Sequence, residues 1–172
     1  PQLIQRVRES GRRTLSPLPR CNDAELLDGA VQDAGELAEN FRDIERVNQL
    51  LGGTSTILRH LPQMIDATSG EAPIRLLDLA TGSADIPVAI DRWAAKRKIE
   101  IAIVASDRSK DVLELAKKRT AHHAGISIAQ YDARSIPLPD RAFDIVLCSL
   151  ALHHFTPDDA VRVLGASAYA KE

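Results

Sequence analysis

The stretch Leu76-Leu77-Asp78-Leu79-Ala80-Thr81-Gly82-Ser83-Ala84-Asp85-Ile86-Pro87 constrains the fold more than any other part of the chain. An apolar run ends in an acid, passes through a turn of small residues and opens a helix. Such a strand–loop–helix brings backbone close to a ligand. Gly82 is the only glycine in the loop, so positive φ or the closest backbone approach is expected there. Ala80 and Ala84 are expected at positions that need a small residue with ordinary dihedrals. Pro87 lacks an N–H and suits the first helical turn, which favours Asp85 over Ser83 as N-cap. The N–H groups and dipole of that helix start suit a carboxylate or phosphate. Taken alone, the loop reads equally well as a purely structural turn.

The surrounding pattern decides for a sheet. Strand-like runs occur at Ile74–Leu79, Ile99–Ala105, Ile126–Tyr131 and Phe143–Ser149. Helices are expected between them, through Val88–Ala95 and through Val112–Lys118, the latter with Ser109 as N-cap and Gly125 beyond its end. Near-continuous apolar strands alternating with helices imply a parallel sheet covered on both faces. In such sheets ligands sit outside the carboxyl ends of the strands. Before the sheet, Leu37, Phe41, Ile44, Val47 and Leu51 recur at helical spacing from Gly35 to Leu51. Gly52-Gly53 stops that helix, and Thr54 is expected to cap the next one, which Pro62 kinks or ends.

Acids follow three successive strands. Asp78 closes the first. Asp107 follows the second, where its two oxygens match the vicinal diol of a ribose. It also stands in Ser106-Asp107-Arg108-Ser109, a helix start, so a cap is its plainer reading. Asp132-Ala133 follows the third, where a carboxylate can accept from an adenine amine and the next N–H can reach a ring nitrogen. An acid at one strand end is usually a turn residue, but three in register are better explained by a nucleoside.

These residues resemble the class I S-adenosylmethionine-dependent methyltransferases over roughly Ile74 to Val163. The family motif D-x-G-x-G-x-G stands here as Asp78-Leu79-Ala80-Thr81-Gly82-Ser83-Ala84, with alanine at two of the three glycine positions. Asp132-Ala133-Arg134-Ser135-Ile136-Pro137-Leu138-Pro139-Asp140-Arg141-Ala142-Phe143-Asp144 resembles the D-A-x-x-L-P-F-P-D-x-x-F-D run of the ubiquinone and menaquinone biosynthesis group. The resemblance implies an α/β, Rossmann-like parallel sheet, with four strands visible of the family's seven, preceded by an N-terminal helical segment. It implies S-adenosyl-L-methionine as cofactor and methyl transfer to oxygen or carbon of a small organic acceptor. Asp78, Ala80, Thr81, Gly82 and Ser83 would hold the methionine end, Asp107 with Arg108 the ribose side, and Asp132 with Ala133 the adenine. Ser149 and Leu150 would line the place where methyl and acceptor meet. His153 and His154, on the same loop, are candidates for a general base, although one packing and the other solvated is the plainer reading. His122-His123 is explained by a helix C-terminus, and no metal site is expected.

The expected domains are residues 1–70, an arm with a helical lid or packing segment, and 71–172, a cofactor-binding domain that is C-terminally incomplete. Asn48, Gly52, Gly53 and Thr54 form a junction able to line the cofactor entrance. After Ser149 one helix is expected, with Thr156 as N-cap and Pro157 at N1, and no fifth strand. Ile145–Leu147 then forms an apolar edge, which implies a fragment, a covering partner or a second copy. A truncated, non-catalytic binding or interaction module is therefore the alternative reading. A nicotinamide enzyme is disfavoured, because no G-x-G-x-x-G occurs. Net charge -2 over 172 residues gives no drive toward nucleic acid or anionic membrane. Arg6, Arg8, Arg12, Arg13 and Arg20 make the first segment basic, read as a flexible solvated arm. Ser16-Pro17-Leu18-Pro19 is read as a linker or turn. There is no apolar run of membrane length and no signal-peptide core, and Pro1 at the start points to processing or trimming. Cys21 and Cys148 make no disulfide framework, so a cytoplasmic setting is expected.

Overall fold

The computed structural model describes residues 34–68, 72–139 and 141–165. The basic arm, the Ser16–Pro19 linker, Cys21, Asp140 and the last seven residues lie outside the described residues. Two helices come first, α1 (Ala34–Leu50) and α2 (Gly53–Asp66). Then follow β1 (Ile74–Leu79), α3 (Asp85–Arg97), β2 (Ile101–Asp107), α4 (Lys110–Thr120), β3 (Ile126–Gln130) and β4 (Ile145–Leu147). A 3-10 turn at Leu152–His154 leads into α5 (Pro157–Gly165).

The four strands form one parallel sheet in the order β3-β2-β1-β4. This is the fold expected from the alternation of strands and helices, and β1 shows why. Ile74 and Leu76 face one core with Ile101, Ile103, Ile145 and Leu147, covered by Leu61 of α2 and by Ile86, Ile90 and Ala94 of α3. Leu77 and Leu79 point the other way, onto Ala133, Ile136, Phe143 and Val163 of α5. A central strand flanked by apolar layers must be apolar on both faces. Each fully buried leucine contributes about 1.5–3 kcal/mol. Asp78 has the parity of Ile74 and Leu76, so a carboxylate stands where the strand pattern would place a core side chain.

Several ends differ from the sequence expectations. Strand β2 runs two residues further, to Asp107, while β4 contracts to three residues. Helix α2 starts at Gly53 behind a left-handed Gly52, so Thr54 lies inside the helix and caps nothing. Pro62 neither ends the helix nor stops it before Asp66. Its ring is on the exposed side, where water can satisfy the carbonyl that lacks a donor, and Leu61 and Ile65 keep the next turn on the core. The caps of the later helices are as read: the Ser109 hydroxyl accepts from Val112 N, and Asp159 N donates to Thr156 Oγ1 at 3.2 Å with Pro157 at N1. His123 does more than face a helix end, since its Nδ1 lies 2.6 Å from Asp91 Oδ2 on α3.

The short strand β4 is held by side-chain as well as ladder bonds. Asp144 Oδ2 accepts from Arg75 N at 2.7 Å and from Arg75 Nε at 3.5 Å, while Asp144 N donates to Arg75 O at 2.8 Å. The Phe143-Asp144 pair that ends the second motif is therefore structural: Phe143 is buried and Asp144 fastens β4 to β1. Asp144→Ala should lower unfolding free energy by about 2 kcal/mol, the value of hydrogen bonds to a charged acceptor. Urea denaturation checks this, and an unchanged midpoint would assign the register of β4 to packing alone.

Candidate functional site

The register brings the carboxyl ends of β1, β2 and β3 to one edge. Asp78 pairs with Ala105, and Asp107 pairs with Gln130, two residues before Asp132. Strand order therefore sets the three acids side by side over adjacent strands, as the sequence implied.

Asp78 is 2% exposed. Its Oδ2 accepts from Thr81 Oγ1 at 2.6 Å, whereas Oδ1 is buried with no hydrogen-bond donor. Burial pushes the carboxyl from 3.8 up to about 7, the Thr81 bond opposes this, and the nearby charges of Asp85 and Asp107 add to it. A carboxylate so placed is an acceptor awaiting a cation or a donor. Ser83 Oγ is likewise buried without a partner. Beside them, burial and the charge of Asp78 push the Cys148 thiol up to about 11, so it keeps its proton.

The loop after Asp78 departs from the expected backbone. Gly82 has the anticipated positive φ of 57°, but Ala80 (52°) and Ala84 (62°) are left-handed too. All three glycine positions of the motif thus require the left-handed region, at a cost of about 1–2 kcal/mol for each alanine. Ala84 has an offsetting role, since its methyl is buried with Ala105 and Ala116. Ala80 is only half-buried. Ala84 also takes the N-cap position, with no side-chain cap bond, and Asp85 becomes the first helical residue. The Asp85 carboxylate instead accepts from Asn48 Nδ2 at 3.4 Å.

Asp107 accepts from Gly82 N (3.1 Å) through Oδ2 and from Ser109 N (3.0 Å) through Oδ1. It is both the cap of the turn into α4 and the brace of the loop. Each oxygen keeps a further acceptor position for a diol. Asp132 is clamped by a residue the sequence reading left without a role. Arg134 Nε donates to Oδ1 at 2.9 Å and to Oδ2 at 3.2 Å, Nη2 donates to Oδ2, and Arg134 N donates to Oδ1 at 2.9 Å. The guanidinium holds Asp132 down at about 2, helped by Arg108. Each carboxylate oxygen thus already receives two Arg134 donors, so a further donor at Asp132 has to displace or share one of them. The spacing Asp-x-Arg, an Asx turn closed by a cation, was the available signal.

The remaining candidates flank this edge. Ala133 is buried and Ser149 half-buried. Leu150 is 53% exposed with φ 60°, and a Cβ on Gly53 would lie 3.6 Å from its Cδ1. The α1–α2 junction thus meets the loop after β4. His153 and His154 are both exposed, so neither is packed away as the plainer reading expected, and their rings lie 4.0 Å apart, tilted by 39°.

The Asp78 proton has a measurable sign. A carboxyl whose folded value lies above its unfolded one binds protons on folding, so its contribution is full below about pH 4 and is lost as pH rises to about 7. The change from 3.8 to about 7 corresponds to roughly 4 kcal/mol. Asp78→Asn should flatten the fall of unfolding free energy over that window in urea titrations. An identical pH profile in the variant would contradict the raised value.

The family described as "Methyltransferase domain" matches residues 76–169. Among curated proteins, the chain is 33% identical over 85 residues to a demethylmenaquinone methyltransferase of Deinococcus radiodurans, covering 49% of this chain and 34% of that one. It is 34% identical over 105 residues to the ubiquinone/menaquinone biosynthesis C-methyltransferase UbiE of Xanthomonas campestris, covering 56% and 40%. It spans about a third to a half of the length of these curated relatives. Among solved structures, the YcgJ protein of Bacillus subtilis aligns with TM-score 0.51 and 26% identity over 66% of this chain and 47% of its own. A SAM-dependent methyltransferase of Aquifex aeolicus shares the fold at TM-score 0.56 and 14% identity, over 82% and 69%. The chain belongs to the methyltransferase-domain family of S-adenosylmethionine-dependent proteins.

Proposed function

We propose that this chain binds S-adenosyl-L-methionine along the Asp78–Asp107–Asp132 edge and takes part in methyl transfer to oxygen or carbon of a small organic acceptor. The observation that carries the reading is the buried, donorless Oδ1 of Asp78 beside a loop of three left-handed residues. An ammonium group satisfies that oxygen, and a methionine end supplies one. Thr81 and Ser83 border it, and the Ser83 hydroxyl is a second buried polar group without a partner there. The second acceptor positions of Asp107 suit the ribose hydroxyls, with Arg108 next to them. An adenine N–H would share Asp132 with Arg134, taking over its long 3.2 Å Nε bond to Oδ2, and the Ala133 N–H would reach a ring nitrogen.

When bound, the cofactor supplies a methyl carbon on a sulfonium. The chain's part is to orient and to exclude water. Ser149 and Leu150 line the acceptor side, and His153 or His154 is the candidate base for an acidic O–H or C–H. The residue 71–172 segment is the binding domain in this reading, and α1–α2 its lid or packing segment. A quinone-like ring is the favoured acceptor class, on the strength of the relatives' names. Net charge -2 supports a small molecule over nucleic acid. No described helix is long and apolar enough to cross a membrane, and a cytoplasmic setting belongs to the same reading.

A second reading has its own observation: among the described residues the sheet ends at β4. That reading is a non-catalytic binding or interaction module that keeps the same cofactor edge and offers the β4 edge to a partner or a second copy. Calorimetric titration with S-adenosylhomocysteine tests the first reading, with affinity in the micromolar range expected. Asp107→Asn should weaken it about tenfold, the loss of charge-assisted bonds. Gly82→Val should abolish binding, because φ 57° is strained for valine and its Cβ would lie 2.8 Å from Phe41 Cε1. No binding heat on folded protein would overturn the reading. Radiolabelled methyl transfer to a demethylated quinone then separates the enzyme from the binding module.

A further inference from the structure

Helix α1 carries Leu37, Phe41, Glu45 and Asn48 at steps of three or four residues, which places them on one face. Each of the last three reaches the sheet domain. The Phe41 ring edge occupies the space beside Gly82, so that a Cβ built there would lie 2.8 Å from Phe41 Cε1. Glu45 Oε2 pairs with Arg119 of α4 at 2.8 Å, the two side chains being 27% and 24% exposed. Asn48 Nδ2 donates to Asp85 Oδ2 at the other end of the loop. One helix face therefore spans the loop and is pinned on both sides of it.

The loop has reason to need this. Its left-handed backbone at Ala80 and Ala84 is disfavoured for residues that carry a Cβ. Burial against Ala105 and Ala116 compensates Ala84, but Ala80 belongs to no core cluster. Gly82 sits between the two alanines, and it is the residue Phe41 touches while Asp107 holds its N–H from the end of the neighbouring strand β2. Ring and carboxylate together fix the middle of the loop. With glycine at position 80 the same shape would carry less strain, because glycine enters positive φ freely.

We propose that Phe41 is a positioning residue that acts through Gly82: its ring splints the loop in the left-handed shape that alanine at position 80 strains. Cofactor affinity then depends on α1 through the loop, without any contact from α1 to the ligand. This rests on the proposed cofactor reading only for its affinity arm.

The test is a double-mutant cycle on the full chain, with Phe41→Ala, Ala80→Gly and the pair. S-adenosylhomocysteine affinity is read by calorimetry, and amide exchange of a peptide spanning 79–86 is read by mass spectrometry without ligand. Phe41→Ala should weaken affinity about tenfold and speed exchange of the loop amides, and Ala80→Gly should restore both to within about twofold of the parent. Phe41→Leu, which keeps an apolar side chain on α1, should show the same order with smaller amplitude. An equal loss with alanine or glycine at position 80 would make Phe41 a wall or a packing residue and overturn the splint. So would loop exchange that Phe41→Ala leaves unmoved. If the parent chain binds no S-adenosylhomocysteine, the functional reading fails. The exchange arm still decides the splint, since rescue by Ala80→Gly upholds it and absence of rescue overturns it.

Discussion

The carboxylate of Asp78 sits where the alternation of β1 calls for a core side chain, and the surrounding edge is arranged around that exception. Desolvation raises its proton affinity, and Thr81 satisfies one oxygen from the loop that Asp78 itself begins. Thr81 N and Ser106 Oγ then tie loop and strand together, through Ser106 O at 2.9 Å and Asp78 O at 3.0 Å. Asp107 closes the frame by accepting the Gly82 N–H. The other carboxylate oxygen is left buried without a donor, a costly state that a bound cationic group would relieve. Fold and ligand chemistry meet at that one atom.

The order of strands and helices was legible because apolar runs, caps and breakers act locally. Ser109, Thr156 and Pro157 occupy the positions their chemistry dictates, and β1 begins and ends where its apolar run does. The errors have a common cause. Alanine at 80 and 84 was given ordinary dihedrals because alanine alone prefers them, whereas the turn from β1 into α3 imposes left-handed backbone at each of the motif's alternate positions. Asp85 is a good cap in isolation, but Ala84 already holds the cap position and Asn48, 37 residues earlier, draws on the Asp85 carboxylate. Helical periodicity showed that α1 has an apolar face and gave no means of knowing that Phe41 faces Gly82. Contacts of such sequence separation leave no mark in local pattern.

The Asp132 corner shows a different compromise. Its pairing with Arg134 gives a rigid, ionised acceptor at any working pH, at the cost of acceptor positions that would otherwise face a base. The acids at the three strand ends are therefore not equivalent. Asp78 is raised by burial to about 7, Asp107 is braced by two backbone donors, and Asp132 is neutralised by a guanidinium. The chain spans only part of the length of its curated relatives, so the cofactor edge and the completeness of the acceptor side are separate questions. The residues proposed to hold the cofactor, from Asp78 to Ala133, precede β4, and only Ser149 and Leu150, proposed to face the methyl group, follow it.

If Asp78 receives the cationic end of the cofactor, proton linkage reports it. A cation beside the carboxyl favours its ionised form, so binding must expel the proton that burial retains. Calorimetric titration of S-adenosylhomocysteine in buffers of different ionisation enthalpy, from about pH 6 to about pH 8, measures that proton. Release should approach one proton near about pH 6 and fade above about pH 7, the value to which Asp78 is raised, with no release in Asp78→Asn. Intact binding with no proton release across the range, or with proton uptake, would contradict that role of Asp78.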